Sequence, residues 1–129
     1  MKKLLIVLIL FFSYTTYSQT AEEYFNNGLE KMKNGDFSSA IADYTKAIKI
    51  DPNYANAYIN RGIAKNKLEN HSGAITDFTK AIELDPNYAY PYITRGWSKN
   101  NLMDYYGAIV DFNKAIELDT NDDDAYYNR

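Results

Sequence analysis

A gapless period of 34 residues runs through most of this chain and limits the folds that it can adopt. The tetrapeptide DPNY at 51–54 returns at 85–88, and Gly28 returns as Gly62 and Gly96. Sequences with such a period fold as stacks of one supersecondary unit, in which each unit packs only on its neighbours. We therefore predict three full units and the start of a fourth, with the bounds 21–54, 55–88, 89–122 and 123–129.

Each unit has the apolar spacing of two helices. In the second unit, apolar residues recur at intervals of three to five positions over 58–68, and this spacing returns over 74–82. It is typical of one helix face and not of a strand. Pro86 ends the second helix, because proline lacks an amide donor and disfavours helical geometry in the residue before it. The sequence therefore predicts an all-α chain of antiparallel helix pairs, in which Gly62 lets two helices approach closely beside Phe78.

Four columns, each a set of positions 34 residues apart, form a known pattern. An aromatic residue opens the first helix, a glycine follows it, an alanine stands four positions before an aromatic in the second helix, and a proline closes the unit. This pattern resembles that of the tetratricopeptide repeat (TPR) family, which implies a right-handed superhelical solenoid over residues 21–122. The matching residues are Tyr24, Tyr58 and Tyr92; Gly28, Gly62 and Gly96; Ala40 with Tyr44, Ala74 with Phe78 and Ala108 with Phe112; and Pro52 and Pro86. Thr120 departs from the pattern, since it replaces the proline of the third unit.

The resemblance also implies a concave groove that the first helices of successive units line and that holds a partner peptide or helix. An exposed apolar strip with a polar rim marks an interaction site, and Trp97 should contribute most of the contact energy because of its large area. The alternative is that Ile59, Ile63 and Ile93 belong to the core. The expected groove residues are Phe25, Leu29, Asn56, Ile59, Ile63, Asn66, Tyr90, Ile93, Trp97 and Asn100, with Lys33, Lys67 and Asn101 at the rim.

One subtype of the TPR family grips a carboxyl terminus with lysine and asparagine side chains. The places for the first lysine and asparagine hold Phe25 and Leu29 in this sequence. We therefore expect the groove to recognise an apolar extended segment or a helix instead.

Two charged columns lie outside the family pattern, and their pairing has two solutions. If each arginine paired with the aspartate of its own unit, Asp43 would face only Asn27, whereas pairing with the preceding unit leaves no aspartate unpaired. We therefore predict an inter-repeat ladder of ion pairs; the alternative is that both columns are simply solvated. The predicted pairs are Asp43–Arg61, Asp77–Arg95 and Asp111–Arg129.

The composition excludes several chemistries. The chain has no cysteine and one histidine, so it has no thiol nucleophile, no disulfide framework and no cysteine zinc site. Its net charge of -3 argues against sequence-independent binding to nucleic acid. No nucleophile, base and orienting residue form a recognisable set. We therefore expect a protein that is not an enzyme and that needs no cofactor or metal.

The first eighteen residues have the organisation of a secretory signal peptide. Lys2 and Lys3 precede the apolar run 4–12, and a polar stretch with small residues follows to Ser18. This run is too short to cross a bilayer as a helix, so an uncleaved anchor is the weaker alternative. We expect cleavage after Ser18, no membrane span in the mature chain, and export to a bacterial periplasm or to the medium.

These features together favour an exported scaffold that binds a protein or peptide partner through the groove. The alternative is that the repeats form the N-terminal regulatory region of a larger envelope enzyme or sensor whose catalytic part is missing from this chain. Repeat arrays normally end in a polar capping helix, and the sequence stops within the opening of a fourth unit. We therefore expect a fragment of a longer protein, and an uncapped C-terminal end through which copies could self-associate.

Overall fold

The computed structural model describes residues 19–120, and this part of the chain forms six helices and no strand. The predicted all-α class is confirmed. The predicted signal peptide at 1–18 and the start of a fourth unit at 123–129 lie outside the described residues. The helices are α1 (Ala21–Lys33), α2 (Phe37–Ile50), α3 (Ala55–Lys67), α4 (His71–Leu84), α5 (Ala89–Asn101) and α6 (Tyr105–Thr120).

Side-chain caps fix the start of four helices. Thr20 and Glu23 form a capping box at α1, in which each side chain accepts a hydrogen bond from the other residue's amide. Asp36, Asn70 and Asp104 occupy one column, and each accepts a hydrogen bond from an amide three residues later at the start of α2, α4 and α6. One column of polar residues therefore sets the same start point for the second helix of every pair.

The turn inside each pair requires a left-handed residue. Gly35 has a φ of 74°, and the same column holds Glu69 with a φ of 61° and Met103 with a φ of 63°. Glycine adopts this region without steric cost, whereas glutamate and methionine do not. The first pair therefore has the residue that the turn favours, and the other two pairs carry backbone strain there.

The two helices of each pair pack closely at a glycine. A Cβ added to Gly62 would lie 2.7 Å from the Phe78 ring, and one added to Gly96 would lie 2.7 Å from the Phe112 ring. Such distances are shorter than real contacts allow, so only glycine fits at this crossing. The predicted close approach of the pair beside Phe78 is confirmed.

The first helices of the pairs lie on one side of the stack. Each helix packs on its neighbours in sequence, and α3 also contacts both α1 and α5. Among the six described helices, the second helices α2, α4 and α6 have no such contact with one another. The side formed by α1, α3 and α5 is therefore the inner side of the curved stack, and it is the side that carries the predicted groove.

One face of α1 is polar, although the corresponding faces of α3 and α5 are buried. Ala57 and Pro91 occupy one column and are buried between pairs, while the same column in α1 holds the exposed Glu23. In a second column, Ala64 and Ser98 are buried, and α1 has the exposed Glu30. Repeat arrays need such a polar face at a terminal unit. The pair α1–α2 thus has the surface of an N-terminal cap.

Candidate functional site

A hollow opens on the inner side between α3 and α5. Its volume is about 280 Å³. The side chains around it come from the C-terminal half of α3, the first residue of α4 and the whole length of α5. The lining residues are Ile63, Asn66, Lys67, His71, Tyr90, Thr94, Trp97 and Asn101.

Ile63 and Trp97 form the apolar part of the hollow. They occupy the same column on adjacent first helices, and Trp97 is 59% exposed. The Trp97 ring meets the Phe112 ring edge-on, with 6.3 Å between the ring centroids, which supports the indole from behind. An indole that is held in place and largely open to solvent can add contact area to a partner without needing to be ordered first.

A hydrogen-bonded bridge between units forms the polar floor of the hollow. The Asn66 amide donates to the hydroxyl of Ser98 at 2.8 Å, although the two residues belong to different pairs. The Asn66 carbonyl oxygen lies 2.9 Å from Nδ1 of His71, and the Ser98 hydroxyl lies 3.0 Å from the Thr94 carbonyl oxygen. Asn66 lines the hollow as expected, and its amide group also holds α3 and α5 together.

The remaining predicted groove residues differ in depth. Ile59 is 4% exposed and belongs to the core with Tyr58 and Phe78, so its assignment to the groove is wrong. Phe25 is half-buried against the rings of Tyr44 and Tyr54, at 5.7 and 4.9 Å between centroids. Leu29 of α1 is half-buried, and Asn56 of α3 and Asn100 of α5 are exposed.

A second hollow of about 420 Å³ lies next to the first. Tyr90 and Ile93 of α5 line it together with Leu118 and Asp119 at the end of α6. Tyr90 borders both hollows and is 42% exposed. The two hollows therefore continue one surface across the first half of α5.

The arginine and aspartate columns pair within units, so the predicted inter-repeat ladder is wrong. Arg61 donates to Asp77 through Nε at 2.9 Å and Nη2 at 2.7 Å. Arg95 binds Asp111 in the same way, at 2.8 and 2.7 Å. The predicted pairs were Asp43–Arg61, Asp77–Arg95 and Asp111–Arg129, of which Arg129 lies outside the described residues.

The antiparallel pairing of α3 and α4 explains this arrangement. Arg61 and Asp77 stand at equal distances from the turn at 68–70, so the hairpin brings them face to face. Arg61 also reaches the preceding unit, but through a hydrogen bond from Nη1 to the Thr45 hydroxyl at 3.1 Å. Arg95 repeats this contact with Thr79. Each arginine thus joins two units, with its ion pair inside one and a neutral contact to the other.

A lysine column completes the ion-pair network. Lys65 lies 2.9 Å from Asp77, and Lys99 lies 2.8 Å from Asp111. In the first unit, where Asn27 replaces the arginine, Lys31 binds Asp43. The aspartates are buried, and each accepts from at least one cation, as buried carboxylates require. The recurrence of lysine in this column of the sequence indicates a cation for every aspartate. Asp43 therefore needs no arginine partner.

Two buried groups have shifted pKa values. Burial favours the neutral carboxyl of Asp111, but hydrogen bonds from Arg95 and Lys99 favour the charged form more strongly and lower its pKa. Burial raises the pKa of Tyr44 to about 12, and the nearby charge of Asp43 adds to the shift. Both groups stand between the helices of a pair and not in the hollow. These shifts therefore belong to the packing of the pairs.

Sequence reasoning left Thr94 and His71 out of the groove. Thr94 is in the column of Asn60, and its hydroxyl bonds to backbone carbonyls of α5. His71 begins α4 and borders the hollow. Its column holds Phe37 and Tyr105, which gave no indication of a polar rim.

No helix in the described range is both long enough and apolar enough to cross a membrane.

Two family models match the chain. A TPR repeat model matches residues 28–68, and a tetratricopeptide repeat model matches residues 55–88. No curated protein matches the chain. Together the two matches span residues 28–88.

Solved structures of similar proteins cover most of the chain. The TPR2B domain of yeast Sti1, solved as a pHsp70 complex, has 34% identity and a TM-score of 0.78; the match covers 83% of this chain and 86% of that chain. The second TPR of Spaghetti (RPAP3), bound to the HSP90 peptide SRMEEVD, has 31% identity and a TM-score of 0.75, with 78% and 93% covered.

A structure of MamA has 26% identity and a TM-score of 0.78. The match covers 84% of this chain, which spans only 62% of the MamA chain. The stacked helix pairs, the repeat models and the two similar TPR domains agree, and the chain belongs to the tetratricopeptide repeat family.

Proposed function

We propose that the chain is an exported, non-catalytic scaffold that binds a segment of a partner protein in the hollow between α3 and α5. The observation that carries this proposal is the exposed Trp97, which stands on the inner side of the stack above an apolar residue of the adjacent unit. The similar TPR domains were solved with an HSP90 peptide in the case of Spaghetti and as a pHsp70 complex in the case of Sti1. Their bound state supports a peptide-binding role for this chain.

The residues of the hollow favour recognition through an apolar side chain. Ile63 and Trp97 offer an apolar surface, while the first-unit positions Phe25 and Leu29 offer no cation for a terminal carboxylate. A hollow of about 280 Å³ has room for one or two side chains and not for a folded domain. An extended segment, or one face of a helix, is the partner that fits this shape.

A panel of peptides selected from a random library against the full chain tests this function. Trp97→Ile introduces the residue type that Ile63 has in the same column. This substitution should weaken the binding of the selected peptides by about tenfold or more. Fluorescence anisotropy of labelled peptides measures this loss. Tyr106→Ser, on the outer side of α6 where the side chain is 80% exposed, is the matched control and should change nothing. Unchanged affinity in Trp97→Ile would overturn the proposal.

Export is a separate part of the proposal and rests on the sequence of residues 1–18. Fusion of this segment to an alkaline phosphatase that is active only outside the bacterial cytoplasm should give active enzyme. Replacing Lys2 and Lys3 by glutamate should reduce that activity, because the positive charge is part of the export signal. An inactive fusion would contradict export.

Self-association through α6 is the second contact that we propose. Ile109 and Ile116 are about half exposed, whereas the equivalent Ile75 and Ile82 are half-buried where α5 packs on α4. Sedimentation over a range of concentrations should show dimers, which Ile109→Asn should disrupt. A monomer at every concentration would contradict this contact.

A further inference from the structure

The hollow carries positive charge on one side, although the chain as a whole is acidic. Its lining includes one cation, Lys67, and no carboxylate. Lys67 is exposed and makes no ion pair with any residue that the structure describes. By contrast, Lys65 is committed to the buried Asp77. Lys67 is therefore a cation at the edge of an apolar surface with no counterion supplied by the described stack.

The apolar surface and the cation are separated by one helical turn. Ile63 and Lys67 are four residues apart on α3, which corresponds to a rise of about 6 Å along the helix. Trp97 and Asn101 repeat the same spacing on α5. In an extended peptide, side chains two residues apart point to the same side and are separated by about 6.6 Å. The two spacings agree to within about 1 Å.

We propose that the hollow binds an extended peptide in which an apolar side chain is followed two residues later by an aspartate or glutamate. The apolar side chain packs on Ile63 and Trp97, and the side-chain carboxylate meets the Lys67 ammonium, with Asn101 beside it as a neutral donor. The inference rests on the proposed function and adds a chemical class of partner to it. We place the carboxylate on an internal side chain of the peptide, because the first-unit positions that would hold a terminal carboxylate carry Phe25 and Leu29.

Synthetic peptides with both termini blocked test this inference, because the single tryptophan of the chain reports directly on the site. The probes are an acetylated, amidated octapeptide with leucine and glutamate two positions apart in a serine and glycine background, and the same peptide with glutamine for glutamate. Titration of the full chain, followed by Trp97 fluorescence, should give a dissociation constant about threefold to fivefold smaller for the glutamate peptide. This factor is typical of a partly exposed ion pair.

Variants of one column show whether Lys67 is the cause. Lys67→Met should abolish the difference between the two peptides while keeping a measurable affinity for both. Lys33→Met is the matched control, because Lys33 is exposed in the same column of the first unit and does not line the hollow. That variant should keep the full difference, which would exclude a general effect of net charge.

Three results would overturn the inference. Equal affinity for the glutamate and glutamine peptides would show that the carboxylate is not recognised, while leaving the groove itself intact. A difference that persists in Lys67→Met would assign the preference to another residue. If the blocked peptides do not bind and library-selected peptides do, this inference alone fails; if neither kind binds, the proposed function fails with it.

Discussion

Arg61 and Asp77 face each other across the α3–α4 hairpin and share two hydrogen bonds, at 2.9 Å from Nε to Oδ2 and 2.7 Å from Nη2 to Oδ1. Asp77 is 2% exposed, so its charge is stabilised by this fork and by Lys65 and not by water. The third arginine nitrogen, Nη1, reaches the Thr45 hydroxyl of the preceding unit. One side chain therefore fixes the packing of a pair and the contact between pairs.

A double-mutant cycle distinguishes this pairing from an inter-repeat ladder. Arg61→Asn introduces the residue type that Asn27 has in the same column. It should lower the free energy of unfolding by about 2–3 kcal/mol, because it leaves Asp77 with Lys65 as its only cation. The coupling of Arg61 with Asp77 should be about 1–3 kcal/mol, and its coupling with Asp43 should be within about 0.5 kcal/mol of zero. Urea denaturation of the single and double variants measures both values. Larger coupling with Asp43 would contradict the structure.

Tyr44→Phe should stabilise the chain by about 1 kcal/mol. The Tyr44 hydroxyl is buried and has no hydrogen-bond partner among the described residues, and such a group costs free energy. The same column holds Phe78 and Phe112, so phenylalanine is known to fit this crossing. Denaturation at neutral pH checks the prediction. A loss of stability would mean that the hydroxyl makes a favourable contact.

The same tyrosine should make the fold sensitive to alkaline pH. Burial raises the pKa of Tyr44 to about 12, whereas a tyrosine in the unfolded chain ionises near 10. Because the folded state holds the phenol proton more tightly than the unfolded chain, this group leaves the stability unchanged below pH 10 and lowers it as the pH rises from 10 towards 12. The stability gained by Tyr44→Phe should therefore grow above pH 10. An ultraviolet difference titration of the two proteins should place the ionisation of Tyr44 near 12, and a value near 10 would contradict its burial.

Glu69→Gly should stabilise the second turn by about 0.5–1 kcal/mol. Glu69 has a φ of 61°, in the region that costs non-glycine residues about 1–2 kcal/mol, and part of the gain is offset by the freedom of glycine in the unfolded chain. Gly35→Glu is the reciprocal control in the same column and should destabilise the first turn by a similar amount. Thermal or urea denaturation of both variants is sufficient. Destabilisation by Glu69→Gly would show that the glutamate side chain compensates for the strain.

The helix pairs could be predicted from the sequence because the period repeats every constraint three times. The close contact of Gly62 with Phe78 could be predicted because a glycine recurs opposite an aromatic residue in every unit. The structure has that contact. The burial of Ile59 could not be predicted in the same way. Ile59 and Ile63 are one turn apart on the same face of α3, and periodicity gives the direction of a side chain but not its depth.

The ion pairs were mispredicted for a different reason. The predicted pairs assigned only arginines to the aspartates. They left out Lys31, which lies one helical turn after Asn27 in the first unit and binds Asp43. Arg61 and Asp77 lie at equal distances from the turn, and antiparallel helices bring such positions together. The pairing of these two residues could therefore be predicted from the sequence. The bridge from Asn66 to Ser98 had no comparable signal, because its two residues share no pattern across the units.

The most direct test of the groove is NMR chemical-shift mapping of the isotope-labelled chain with a library-selected peptide. The largest shifts should fall on the inner side of the stack, at Ile63, Lys67, Tyr90 and the Trp97 indole. Residues on the outer faces of the second helices, such as Ser38 and Thr76, should stay unchanged. Shifts concentrated on α4 and α6, with the Trp97 indole unaffected, would contradict the assignment of the groove as the binding site.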